Sequence, residues 1–191
     1  MASAILKKIL MFRALKFKEG NLILWGIPGM LSPLSTIIQL QRVLEKKLGK
    51  GASKLMYYLG KFQGLEGAKL SNEKFGYAKK ITDKRKLLEF STGQSEVTGL
   101  GIFKWVVVDF NKGFFVARGK SSIGLEYKKI YGIQRSPVDH FIRGQGAAMV
   151  EGIINREVFC IETKCVSMGH PYCEFIVRPI EKNKGHEEVK F

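Results

Sequence analysis

A chain of 191 residues with 45% apolar and 11% aromatic residues holds one domain with a sizeable core, which excludes wholesale disorder. Its net charge of +15 is uneven: residues 1–90 carry 18 Lys/Arg against 6 Asp/Glu, and residues 91–191 carry 14 against 11. No apolar run approaches the roughly 18–20 residues that span a bilayer, and three cysteines are too few for a disulfide scaffold, so a reducing cytoplasm is the expected compartment.

Residues 2–12 pattern as a short amphipathic helix, with Ile5, Leu6, Ile9 and Leu10 opposite Lys7 and Lys8. Those lysines interrupt the apolar run and no small-residue cleavage site follows, so this is not a secretion signal. FRALKFK-EG-NLILWG alternates around Glu19-Gly20 and reads as a β-hairpin. The loop GIPGMLSP ends on Ser32 and Pro33, an N-cap followed by proline at the first helical position. Ile37, Leu40, Leu44 and Leu48 then recur at helical spacing up to Gly49. In a second helix Leu55, Tyr58, Leu59 and Phe62 share one face, while Gly60 and Gly64 lie on another. Glycine inside a helix costs about 1 kcal/mol against alanine, so these two predict close approach of another backbone or of a ligand. SNEKFGYAKKITDKRKLLEFSTGQ continues as one or two basic helices, and IFKWVVVDF-NKG-FFVARG as two strands joined by a turn.

VDHFIRGQGAAMVEGIIN is helical from Val138, with a small-residue stripe of Gly144, Ala148 and Gly152. In REVFCIETKCV, Val158, Cys160, Glu162 and Lys164 alternate with Phe159, Ile161 and Thr163, which predicts a strand. YCEFIVRPI returns as its hairpin partner, and the polar tail 181–191 is expected to fray. The expectation is an α+β fold, an antiparallel sheet covered by helices. Its parts are an extension over 1–11, one domain over 12–180 and the tail.

The hairpin ETKCVSMGHPYCEF brings Cys165 and Cys173 together across a turn, with Glu162 three residues earlier. A bulge or twist at the strand end is needed to aim all three at one point. Tetrahedral zinc accepts thiolates and carboxylates, but two cysteines with this spacing also suit plain packing, and a disulfide, though geometrically possible, is not expected in a reducing compartment. Cys160 is expected in the core, and His170 in the turn.

Glu162-x-x-Cys165-x-x-x-Gly169-x-x-x-Cys173-x-Phe175 resembles the signature of the 4-vinyl reductase-like domain, in its stand-alone archaeal type. That small-molecule-binding family is related in fold to TRAPP vesicle-tethering subunits and includes the sensor domains of phenol-responsive bacterial activators. Pro137-Val138-Asp139 ahead of Gly144 and Ala148 resembles the family's Pro-Val-Cys before a glycine-stepped helix. The resemblance implies a TRAPP/NO-signalling ligand-binding-like fold over about residues 12–180. It also implies zinc ligands at Glu162, Cys165 and Cys173. The fourth ligand position reads Asp139 where the zinc-bearing sensors carry cysteine, with His140 as the alternative. Asp139 gives four negative charges against the metal's two, an excess that Lys164 or Arg143 is expected to offset.

No phosphate loop, nicotinamide or flavin fingerprint, or Ser-His-Asp arrangement stands out, so a binding module is expected in preference to an enzyme. The resemblance implies a pocket between helices and sheet for a small apolar or aromatic molecule, with Trp25, Tyr58, Phe62, Trp105 and Met149 as candidate lining. Two other readings stand beside it. One is a TRAPP-like scaffold dimerising through helices near residues 34–70. The other is a non-specific nucleic-acid or membrane-surface binder using the basic half. With no output domain in view, a homodimer and a separate partner protein for signal output are expected.

Overall fold

The computed structural model describes residues 15–24, 27–75 and 83–180. The segment 2–12, the tail 181–191 and Trp25 lie outside them. Strands β1 (Leu15–Lys18) and β2 (Asn21–Leu24) form the expected hairpin. Glu19 and Gly20 both take positive φ, 50° and 79°, the conformation that matches a two-residue turn to strand twist. β3 (Ile27–Gly29) adds antiparallel to β2, so part of the expected loop is a third short strand.

Helix α1 (Leu34–Leu48) starts one residue later than the proline pattern suggested, with Pro33 in the cap position. It stops at Gly49, whose φ is 54°. Helix α2 runs from Gly51 to Phe75. Helix α3 (Lys84–Val97) is capped by the Asp83 carboxylate, which accepts from the Arg85 amide. Among the described residues, no helix is long and apolar enough to cross a membrane.

The main sheet is β4 (Gly101–Asp109), β5 (Phe114–Ser121), β6 (Val158–Lys164) and β7 (Cys173–Pro179), ordered β4-β5-β7-β6 and antiparallel throughout. In the β4–β5 turn Asp109 Oδ1 accepts from the Asn111 and Lys112 amides at 3.0 and 2.9 Å, and Gly113 supplies a φ of 67°. Helix α4 (Ser122–Tyr131) follows β5 directly, and α5 (His140–Ile154) precedes β6. The core gathers Phe115, Tyr127, Phe141, Val150, Val158 and Val177. This is the α+β architecture expected, with α3 against β4 and α5 against β6 and β7.

The helix glycines explain how α2 meets α5. A Cβ on Gly60 would overlap the Phe141 carbonyl, and one on Gly144 the Tyr57 carbonyl. At Gly64 it would lie 2.7 Å from the Ala148 Cβ. The two small-residue stripes therefore interlock within the chain, and the close approach is helix to helix. This turns Ala52 and Met56 inward and leaves Leu55, Leu59 and Phe62 exposed.

Candidate metal centre and apolar cavity

Asp139 stands at the head of α5, and its carbonyl accepts the Arg143 amide at 2.9 Å. Its carboxylate does not cap the helix. Instead Oδ1 accepts the Ser121 hydroxyl at 2.6 Å, and Oδ2 lies 3.5 and 3.3 Å from the Cys165 and Cys173 sulfurs. Glu162 points inward from β6, where the register with β7 shifts between Glu162 and Lys164; this is the bulge the sequence required. Cys165 precedes a single 3-10 turn, Val166–Met168, and Cys173 opens β7. Gly169, at φ 92°, ends that turn. The four ligand atoms lie within 4.8 Å of one another. Asp139, Cys165 and Cys173 are 0% exposed and Glu162 8%.

The donor set fits a tetrahedral cation. Metal–sulfur bonds of about 2.3 Å and metal–oxygen bonds of about 2.0–2.2 Å place donors roughly 3.3–3.8 Å apart, where Asp139 Oδ2 already stands from both sulfurs. Glu162 Oε2 accepts the Asp139 amide at 3.2 Å, while its Oε1 is buried with no hydrogen-bond partner. Buried polar atoms nearly always have partners, so this oxygen is one that could take a metal ion. Burial, followed by the neighbouring charges, pushes Glu162 up to about 12 and Asp139 up to about 7. A hydrogen bond from Cys173, helped by Ser167, draws Cys165 down to about 4 while Cys173 is pushed up. Four acids in one dry space cannot all ionise unless a cation joins them.

The charge is offset differently from the expectation. Lys164 turns to the Tyr172 hydroxyl at 3.1 Å, and Arg143 to the Cys160 carbonyl, also at 3.1 Å. The cluster instead faces two helix N-termini, whose partial positive charge favours anions. Ser121 caps α4 by accepting the Gly124 amide at 3.0 Å and gives its own proton to Asp139. A Cβ on Gly124 would come within 3.0 Å of Asp139 Oδ2, so α4 approaches the carboxylate closely. His140 stands outside the cluster beside Arg143, its ring lowered to about 4 by burial and by that cation. His170 lies in the turn, its amide donating to the Cys165 carbonyl.

Cys160, two residues before Glu162 on the same strand face, is also outside the cluster; burial pushes its thiol up to about 12. It lines a cavity of about 40 Å³ between α3, α5 and the sheet. Phe103, Trp105, Phe175, Ile142 and Met149 form its apolar wall, with Thr92, Ser95 and Gln145 as polar groups. Of the sequence candidates, Trp105 and Met149 are here. Tyr58 lies in a separate cleft, and Phe62 is 66% exposed. Sequence reasoning missed Ser121 and Ser167 beside the cluster and Phe103 in the cavity. A serine directly ahead of a helix signals a cap, but nothing local says that it also serves an aspartate 18 residues on.

Residues 130–179 match the family model of the V-4-R domain, the vinyl-4-reductase type. Over that segment the chain is similar to the domain. The match spans the head of α5, the β6–β7 hairpin and all four cluster residues. An uncharacterised protein of Methanocaldococcus jannaschii is 28% identical over 142 residues, 74% of each chain. The phenol-responsive sensory domain of the transcription activator PoxR, solved with phenol, superposes with a TM-score of 0.77. It is 22% identical and covers 93% of this chain and 91% of its own. A vinyl-4-reductase family protein from M. jannaschii gives 0.53 at 19% identity, covering 80% and 85%. A trafficking protein particle complex subunit 3 from Naegleria fowleri, covalently bound to palmitic acid, gives 0.52 at 14%, covering 78% and 93%. At these identities the structural likeness is one of fold, and the family match puts the cluster inside the matched segment.

Proposed function

We propose that the chain is a ligand-binding sensor or carrier domain for a small apolar or aromatic molecule, stabilised by a structural zinc. The observation that carries the reading is the cavity: aromatic side chains from two sheet strands meet α5 beneath α3. Trp105 Nε1 donates to the Leu88 carbonyl of α3 at 3.1 Å, tying that helix to β4. A void of about 40 Å³ is well short of the ~150 Å³ that admits benzene in an engineered protein core. A ligand of that size enters only as α3 shifts outward, which turns occupancy into helix movement and gives a partner protein something to read. The likeness to a phenol-responsive fold supports this class of ligand.

Zinc suits the donor set of Asp139, Glu162, Cys165 and Cys173. Bound there, it supplies a structural cross-link between the head of α5 and both strands of the hairpin. The test is a thermal-shift panel of phenols, other aromatics and lipids, with Trp105 fluorescence and native mass spectrometry alongside. A ligand at one hundred times its Kd adds roughly 2.7 kcal/mol; no shift across the panel and no retained extra mass overturns the ligand reading. Metal analysis of untagged protein finds about one zinc per chain if the centre is structural.

A second reading, the TRAPP-like scaffold, draws on the exposed apolar row of Leu40 and Val43 on α1 and Leu55, Leu59, Phe62 and Leu65 on α2. A homodimer through these helices serves either reading, because a sensor also needs an output surface. Light scattering of the full chain tests it.

A further inference from the structure

A second cleft, of about 180 Å³, opens between α2 and α5, lined by Ser53, Lys54, Tyr57, Tyr58 and Arg143. Its lining residues include two cations, Lys54 and Arg143, and no carboxylate. Arg143 is fixed in place: its Nε donates to the Cys160 carbonyl at 3.1 Å, its Nη1 meets His140 Nδ1 at 3.1 Å, and its guanidinium lies 5.4 Å from the Tyr57 ring centroid. None of these partners is an acid. Of the acids on the helices around it, Glu151 pairs with Lys61 and Glu45 with Arg42, both at 2.9 Å. Among the described residues no ion pair engages Arg143. A half-buried guanidinium usually finds a carboxylate or a phosphate. Tyr57 adds a donor, because its oxygen accepts the Cys160 amide at 3.3 Å and leaves its own proton to give.

We propose that this cleft binds a phosphate-type oxyanion, the head of a phosphomonoester, at a site separate from the apolar cavity and the metal centre. A phosphomonoester carries a charge of about −1.5 to −2 and three terminal oxygens, which suit a guanidinium, an ammonium and a tyrosine donor together. A carboxylate offers one charge and two oxygens, fewer than these donors can use. The fixed fork of Arg143 supplies geometry and Lys54 supplies charge.

The test is calorimetric titration of the full chain at low salt in three arms: inorganic phosphate, glycerol 3-phosphate, and vesicles of phosphatidic acid in phosphatidylcholine against phosphatidylcholine alone. The wild type gives saturable one-site binding in at least one phosphate-bearing arm. Arg143→Gln and Lys54→Met each weaken it about tenfold to a hundredfold, the loss expected for a charge-assisted contact. Arg143→Lys falls between. Lys104→Met, an exposed change on β4, leaves binding unchanged. Response to glycerol 3-phosphate but not to vesicles assigns a soluble ester; a vesicle response abolished by Lys54→Met assigns a lipid head. Should Arg143→Gln fail to fold, Lys54→Met and Arg143→Lys decide. Absence of saturable binding in every arm, or equal weakening by Lys104→Met, overturns the site.

Discussion

The cysteine cluster and the apolar cavity share three elements. β6 gives Glu162 to the cluster and Cys160 to the cavity; β7 gives Cys173, then Phe175 and Val177; α5 gives Asp139, then Ile142 and Met149. Strand period two puts each pair of neighbours on one face, and the bulge after Glu162 lies at the cluster end of the hairpin. The cluster is closed, with Asp139 Oδ2 already at donor–donor distance from both sulfurs. The cavity is a small void roofed by α3. One end of the hairpin is thus a closed polar cluster and the adjoining stretch an apolar void, so a cation held in the cluster would also brace one wall of the cavity.

The largest way to break this contrast is to remove a sulfur. Cys165→Ser or Cys173→Ser is expected to abolish metal retention and to cost more than about 3 kcal/mol, because metal binding energy becomes folding energy and the remaining buried acids lose their partner. Metal analysis and denaturant unfolding measure both. Cys160→Ser keeps the metal and costs about 1–2 kcal/mol for a buried hydroxyl. If it released the metal instead, the division between the two sites would fail.

Next in size is the helix crossing behind the cavity. Gly60→Leu drives a side chain into the Phe141 backbone, which cannot yield as a flexible side chain would. A loss of about 2–3 kcal/mol is expected in chemical denaturation. Gly93→Ala on α3 is the control: nothing lies within 4 Å of its added Cβ, and helix propensity gives back about 0.5–1 kcal/mol. Equal losses at both positions would remove the close-approach account.

Filling the cavity sharpens the contrast with little cost. Gly146 lies in its wall, with the nearest atom to an added Cβ being Cys160 Sγ at 4.0 Å. Gly146→Val puts two methyl groups into the void and is expected to change stability by no more than about 1 kcal/mol, as void filling offsets β-branching. Aromatic ligand shifts disappear while the metal stays. A filled cavity that still binds the ligand would place the ligand elsewhere.

How much of this was legible follows from the range over which each signal acts. The alternation of Val158 to Lys164, the turn glycines and the need for a bulge are local, and all were readable. So was the pairing of Glu162 with the two cysteines, since a hairpin returns its own ends. The counter-charge was misread because Lys164 and Arg143 are near in sequence, whereas the helix-end positive charge reaches Asp139 through Ser121, from the end of another strand. The inward face of α2 was hidden for a different reason. A leucine-rich face ordinarily packs inward, but Gly60 and Gly64 allow so close a crossing that the small face is buried instead.

That inversion gives the smallest effect on stability and the clearest one on assembly. Leu59 and Phe62 lie on the exposed side of α2 beside Leu55 and Leu65, with Leu40 and Val43 on the neighbouring helix. Exposed apolar side chains in this number are what an association surface presents. Leu59→Glu and Phe62→Glu exchange exposed carbons for exposed carboxylates, so stability should move by no more than about 0.5 kcal/mol. In a dimer the same carboxylates would be buried against apolar carbon or against their own copies, and neither is tolerated without a partner. Sedimentation at micromolar concentration should therefore show the wild type as a dimer and the double variant as a folded monomer with its metal intact. A wild-type monomer under those conditions would remove the dimer and leave the apolar row to another occupant. A double variant that remained dimeric would move the interface to a different face.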